Sequence, residues 1–294
     1  MASLKDIKRK IKSVKSTQKT TRAMKLVSSA KLRKAEELAK RSKEYAIKIT
    51  EMIDEISYNI AKAQNDIEHP YFKKMDNPKV VDIIFITSDK GLCGAFNSQT
   101  IKSTNKLIDE YKQKGAQVRV RGIGKKGIAY YKFNKVPMLD EIEGLSSAPT
   151  YQKGAEYIKE VVKDYLEGKT QKIILVHNGY VNMITQEIRV NTLLPVDPSL
   201  VEPKKELQSE LEQEPEDDDK LLEALVNRYL EYSIYYALID SLAAEHGARM
   251  QAMDNATNNA KEMVKTLTIA YNKARQEAIT TELIEIISGV EAMK

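Results

Sequence analysis

"RAMKLVSSAKLRKAE", residues Arg22–Glu36, lies inside a segment that returns to one face every three and four residues, yet places polar side chains on that face. Before it the repeat is apolar: Leu4, Ile7, Ile11 and Val14. After it the repeat continues through Leu32, Ala35, Ala39, Ser42, Ala46, Ile49, Ile53, Ile56 and Ile60. In and beside the stretch the same positions are Gln18, Thr21, Lys25 and Ser28. A second series runs from Leu225 and Tyr229 through Ile239, Met250, Met253, Thr257, Ala260, Val264, Leu267, Tyr271 and Ala274 to Ala278. It has its own polar zone at "DNATNNAK", Asp254–Lys261. A spacing of 3.5 residues held over about eight heptads predicts a left-handed coiled coil. At 1.5 Å per residue the two helices would be roughly 90 and 100 Å long.

All prolines fall between Pro70 and Pro215, so both flanks are free to be continuously helical. The middle reads differently. "VVDIIFITS" (80–88), "QVRVRGIG" (117–124), "KIILVHNGYV" (172–181) and "EIRVNTLLPV" (187–196) have strand character. Helical patterns at about 97–114, 125–134 and 150–167 separate them. Alternation of strand and helix predicts a Rossmann-like α/β layer with a largely parallel sheet, and the short gap between the last two strands predicts a hairpin at one edge. The fold class expected is therefore α/β plus long α-helices, with an antiparallel coiled coil of the terminal helices and an inserted α/β domain. The divisions expected are 1–63, 64–219 and 220–294.

A compact insert between two long helices brings their ends together, so the helices pair antiparallel. Facing the two polar zones gives pairs whose numbers sum to about 281, with Ile56 near Leu225 and Leu4 near Ala278. Residues from Thr281 onward, "TELIEIISGVEAMK", then run past the start of the first helix. Leu283, Ile284, Ile286 and Ile287 would lack a partner in the chain, and a row of exposed apolar side chains marks a contact surface.

Composition narrows the class. Aromatics are 6%, Trp is absent and 30% of residues are charged, which suits long helices with most of their surface in water. The single Cys93 rules out an internal disulfide and fits a reducing compartment. No apolar run follows the basic N-terminus as a signal peptide requires, and none is long enough to span a bilayer. Residues 1–35 hold nine Lys and three Arg against Asp6, a net charge of +11. Residues 202–219 hold nine acids against Lys204 and Lys205, a net charge of −7. The basic arm suits an acidic partner. Acidic protein loops and nucleic acid both qualify, although aromatics for base stacking are absent before Tyr45.

Two glycine-rich turns invite a ligand. "RGIGKKG" spells GxGxxG with Gly122, Gly124 and Gly127, and Asp140, Glu141 and Glu143 follow near the ribose-binding distance. The helix after it is short, and the motif sits in the second strand–helix unit, which favours a tight turn over a dinucleotide site. "TSDKGLCGAFN" (87–97) is a similar turn with no GK[ST] ending, and no His is tied to Cys93 to activate it, so a structural thiol is expected. No metal-ligand spacing and no acid–base carboxylate pair stands out.

Along essentially its whole length the chain resembles the gamma subunit family of the rotary F-type ATP synthase. "MASLKDIKRKIKSVKSTQKTTRAMKLVSSAKLRKAE" is similar to that family's N-terminal helix, and "TSDKGLCGAFN" to its first strand-to-helix turn. "EHGARMQAMDNATNNAKEM" and "YNKARQEAITTELIEIISG" resemble its C-terminal signature. The resemblance implies a rotor shaft with no catalytic, cofactor or metal site of its own. Its partners would be three alpha and three beta subunits, the epsilon subunit and the membrane c ring, with no nucleic acid and no membrane span. It implies a peripheral place on the cytoplasmic face of a bacterial cell membrane, since no transit peptide precedes the matched start. Motif match carries Met24 and Lys25 over as coupling contacts, and Arg275, Gln276, Thr280 and Glu282 as the C-terminal contact set. Ile284, Ile286 and Ile287 would sit in an apolar collar of alpha and beta. The acidic 202–219 segment departs from the family, and Cys93 stands alone where chloroplast versions carry a redox pair.

Overall fold

A computed structural model of the chain describes residues 4–62, 70–72, 75, 77–183, 185–196 and 218–293, with side chains left out at 43–46, 50, 52–62 and 218–222. Among the described residues five strands and five α-helices follow the order α1 (Leu4–Lys62), β1 (Val80–Ile86), α2 (Phe96–Gln113), β2 (Gln117–Ile123), α3 (Lys125–Phe133), β3 (Met138–Ile142), α4 (Tyr151–Leu166), β4 (Lys172–Tyr180), β5 (Gln186–Leu194) and α5 (Asp218–Glu291). By contact the chain divides into residues 30–248 and a second unit formed by 1–29 with 249–294.

In residues 30–248 the sheet order is β3-β2-β1-β4-β5, parallel except for the β4–β5 hairpin. Helices cover both faces. Ile84, Ile86, Ile173 and Leu175 pack under α4 and the first half of α5, through Ile158, Val161, Leu230, Ile234 and Leu238. Val81, Ile83, Phe85 and Val176 pack on the other face, against Ile108 of α2 and Ile128 and Tyr131 of α3. Burial on both faces explains why β1 and β4 read as near-continuous apolar runs. The order β3-β2-β1-β4 is that of the first four strands of a Rossmann sheet. The edge hairpin is where the sequence puts it, whereas β3 was absent from the sequence reading.

In the unit of residues 1–29 and 249–294, α1 and α5 run antiparallel. The buried and half-buried positions of α5 from 261 to 278 are Val264, Leu267, Tyr271, Ala274 and Ala278, the seam that the 3.5-residue spacing predicts. On α1 the predicted seam is buried or half-buried at each position from Leu4 to Ser28. The register differs from the expected one. Thr21 meets Thr257 and Lys25 meets Asp254, pairs whose numbers sum to 278 and 279 rather than 281. That shift puts Leu4 level with about Ala274, one helical turn from the Ala278 expected. Centring two polar zones cannot resolve such a slip, because neighbouring turns of both seams are equally apolar. The proposed pairing of Ile56 with Leu225 lies outside the described side chains.

Candidate functional site

The glycine turns are filled by the chain itself. A Cβ on Gly124 would stand 1.9 Å from the Thr87 carbonyl oxygen, and Gly124 has φ +100°. A Cβ on Gly127 would meet Phe85 and Thr87, and one on Gly122 would meet Phe85. The glycines therefore let β1 close onto the β2–α3 turn. The amides that would cradle a pyrophosphate at the start of α3 are already bonded. Lys125 N donates to Asp89 Oδ1 at 3.0 Å, Lys126 N to the Ser88 carbonyl at 3.0 Å, and Gly127 N to Thr87 Oγ1 at 3.0 Å. Burial opposes the Asp89 charge, but donors from Gly144, Lys125, Ser146 and Ser147 outweigh it and hold the carboxyl below the usual range. An internal carboxylate thus takes the place of a phosphate at this helix N-terminus.

Cys93 is buried in a small cluster with Phe96, Ala244 and Ala248. Asn97 Nδ2 donates to its Sγ at 3.3 Å and to Ser88 Oγ at 2.8 Å, so the thiol braces the second turn. Among the described residues no group of His, Cys, Asp and Glu is arranged to hold a metal ion.

Two buried charge networks were not legible in the sequence. Asp82, fully buried on β1, accepts from Arg119 at 2.7 Å and from Arg121 at 2.8 Å, and Arg121 also bonds Asp140 of β3 and Asp164 of α4. Burial disfavours the Arg121 charge, yet Asp82 and Asp140 more than compensate and its pKa is raised. On the hairpin side, Asp240 of α5 accepts from Arg189 at 2.8 Å and from the Tyr180 amide at 3.1 Å, and lies 3.1 Å from His177 Nε2. Both networks tie helices to the sheet by pairing their charges, while His177 Nδ1 is buried without a hydrogen-bond partner.

The carried-over contact residues fall in two belts of the α1/α5 pair. In the first, Met24 and Lys25 are half-buried, while Leu26 and Val27 beside them are 63% and 57% exposed. The polar seam here is paired. Thr21, itself buried, meets Thr257 hydroxyl to hydroxyl at 2.8 Å, and Lys25 Nζ donates to Asp254 Oδ1 at 2.7 Å. The second belt lies some 20 residues further along α5, about 30 Å away at helical rise. Arg275, Gln276, Thr280 and Glu282 are exposed there, with the Thr280 hydroxyl turned back onto the Gln276 carbonyl at 2.9 Å. Beyond them every described residue from 279 to 293 is exposed. Leu283, Ile284, Ile286 and Ile287 stand 53%, 58%, 63% and 62% exposed. The two belts are not brought together. Among the described residues no helix is long and apolar enough to cross a membrane.

Residues 3–293 match the family described as ATP synthase. The chain is 66% identical over 295 residues to the ATP synthase gamma chain of Sulfurovum sp. (strain NBC37-1), covering all of both chains. It is 56% identical over 304 residues to that of Helicobacter pylori (strain P12), again over both full lengths. Among solved structures, a chain of the Euglena gracilis mitochondrial ATP synthase (OSCP/F1/c-ring, rotational state 3) aligns with a TM-score of 0.67 at 19% identity, over 99% of this chain and 94% of that one. A chain of the Tetrahymena thermophila mitochondrial ATP synthase central stalk and c ring aligns with a TM-score of 0.63 at 22% identity, over 81% of this chain and 99% of that one.

Proposed function

The chain belongs to the ATP synthase gamma-chain family and is the central rotor shaft of that enzyme, and from this premise we propose that its two exposed belts are its contacts with the alpha and beta subunits. The first belt, Met24 and Lys25 flanked by Leu26 and Val27, bears on the catalytic beta subunits. The second, Arg275, Gln276, Thr280 and Glu282 with Ile284, Ile286 and Ile287, turns inside a collar of alpha and beta. The epsilon subunit and the c ring are engaged by the inserted α/β domain, on the cytoplasmic face of a bacterial membrane. Rotation of the c ring turns the shaft, and each orientation of the shaft favours a different conformation of the beta subunit it touches, a population shift driven by contact.

The exposure of Ile284, Ile286 and Ile287 in one unbroken helical tip carries this reading. A row of exposed apolar side chains of that density marks a contact surface for a partner. The basic α1 arm complements acidic protein loops, and the absence of aromatic side chains for base stacking before Tyr45 favours such loops over nucleic acid.

Affinity purification of the tagged full chain from its native cells tests the proposal. The expected result is co-purification of alpha and beta subunits in about threefold molar excess, together with epsilon. Recovery of nucleic acid instead would overturn it.

A further inference from the structure

We propose that Asp254 and Thr257 are positioning residues that fix the register of the two shaft helices, by clasping Lys25 and Thr21. This rests on the reading that partner contacts are divided between α1 and α5. Lys25 sits on one helix and Arg275–Glu282 on the other, so both belts meet their partners together only in one register.

The apolar seam cannot choose that register. In the observed pairing Val14 stands level with Val264 and Ile11 with Leu267. Sliding α1 by one heptad toward the C-terminus of α5 would set Val14 level with Tyr271 and Ile11 with Ala274, still apolar on apolar. Such a slip moves Met24 and Lys25 about 10 Å relative to the second belt. The polar positions do choose. In the slipped register Thr21 would face the apolar Val264 and keep only its bond to the Gln18 carbonyl of its own helix, and Lys25 would face the like charge of Lys261. A polar pair at core positions of a coiled coil sets register at a cost in stability. The ion pair itself contributes little to stability, because Lys25 and Asp254 side chains are 37% and 43% exposed. Its effect is on which register is populated.

The test uses the assembled enzyme in sealed vesicles, reading ions moved per ATP hydrolysed. Asp254→Lys should lower this ratio by about twofold, the scale of one half-exposed ion pair. The exchange Lys25→Asp with Asp254→Lys should restore it in part, the remaining loss being the partner contact that Lys25 itself makes. If Asp254→Lys keeps the parent ratio while Lys25→Asp impairs it with or without the exchange, the clasp is overturned and the partner-contact reading stands. Parent ratios in all three variants overturn both. A second measurement does not depend on activity. Thr21→Cys with Thr257→Cys should form a disulfide on mild oxidation, whereas Thr21→Cys with Val264→Cys should not. The reverse pattern overturns the clasp.

Discussion

The carboxylate of Asp89 accepts the amide of Lys125 at 3.0 Å and, through the same oxygen, that of Gly144 at 3.1 Å. One side chain thereby joins the end of β1 to the start of α3 and to the loop after β3, and occupies the helix N-terminus where a phosphate would otherwise bind. Because its folded pKa is depressed, Asp89 contributes stability that is present above the unfolded value of about 3.9. That contribution is lost as pH falls through the lower folded value. Denaturation of the full chain by urea at a series of pH values should show stability falling below about pH 4. Asp89→Asn should be less stable at neutral pH, with a flatter acid limb.

Gly124→Ala should destabilise the chain by at least ~2 kcal/mol, since the new methyl meets the Thr87 carbonyl and the backbone is left-handed there. The thermal midpoint of the full chain checks this. A shift no larger than that of an exposed-site control would mean that the turn is not closed as described.

Arg121→Met should cost ~3–5 kcal/mol, because Asp82 would keep its burial and lose a hydrogen-bonded counter-charge. Replacing Asp82, Arg119, Arg121, Asp140 and Asp164 together by apolar residues should recover much of that loss, which urea denaturation can read.

Leu26→Ala and Val27→Ala should change the stability of the isolated chain by no more than about 0.5 kcal/mol, as exposed sites do. Removal of residues 283–294 should likewise leave its helicity nearly intact. Both changes should weaken association with alpha and beta, measured by co-purification from a reconstituted mixture.

Where one physical signal dominates, the sequence was readable. The seam positions Val264, Leu267, Tyr271, Ala274 and Ala278 follow from periodicity alone, because a long two-helix surface has nothing else to bury. The buried strands β1 and β4 were legible as apolar runs bounded by turns, and β2 by its alternation of Val118 and Val120 with Arg119 and Arg121. β3 was not, because Asp140, one of its three inward positions, is a charge neutralised by Arg121, which breaks the apolar alternation that marks a strand. The Asp82 and Asp240 networks were hidden for a related reason, since a sequence does not say which distant charges will meet. GxGxxG left two readings open, and the position of Thr87 against Gly124 decides between them. At the shaft, the polar residues were legible but their pairing was not. In and beside "RAMKLVSSAKLRKAE" the seam reads as polar, and in the structure Thr21 and Lys25 are both bonded across it.

Rotation of this chain inside its enzyme tests the central claim most directly. Phe133, 87% exposed, offers an attachment point as Phe133→Cys, and the native Cys93 is buried at 2% exposure. A probe fixed there, with the enzyme held to a surface through its beta subunits, should turn continuously in one direction when ATP is added. A probe that stays fixed while ATP is hydrolysed at the normal rate would contradict the account.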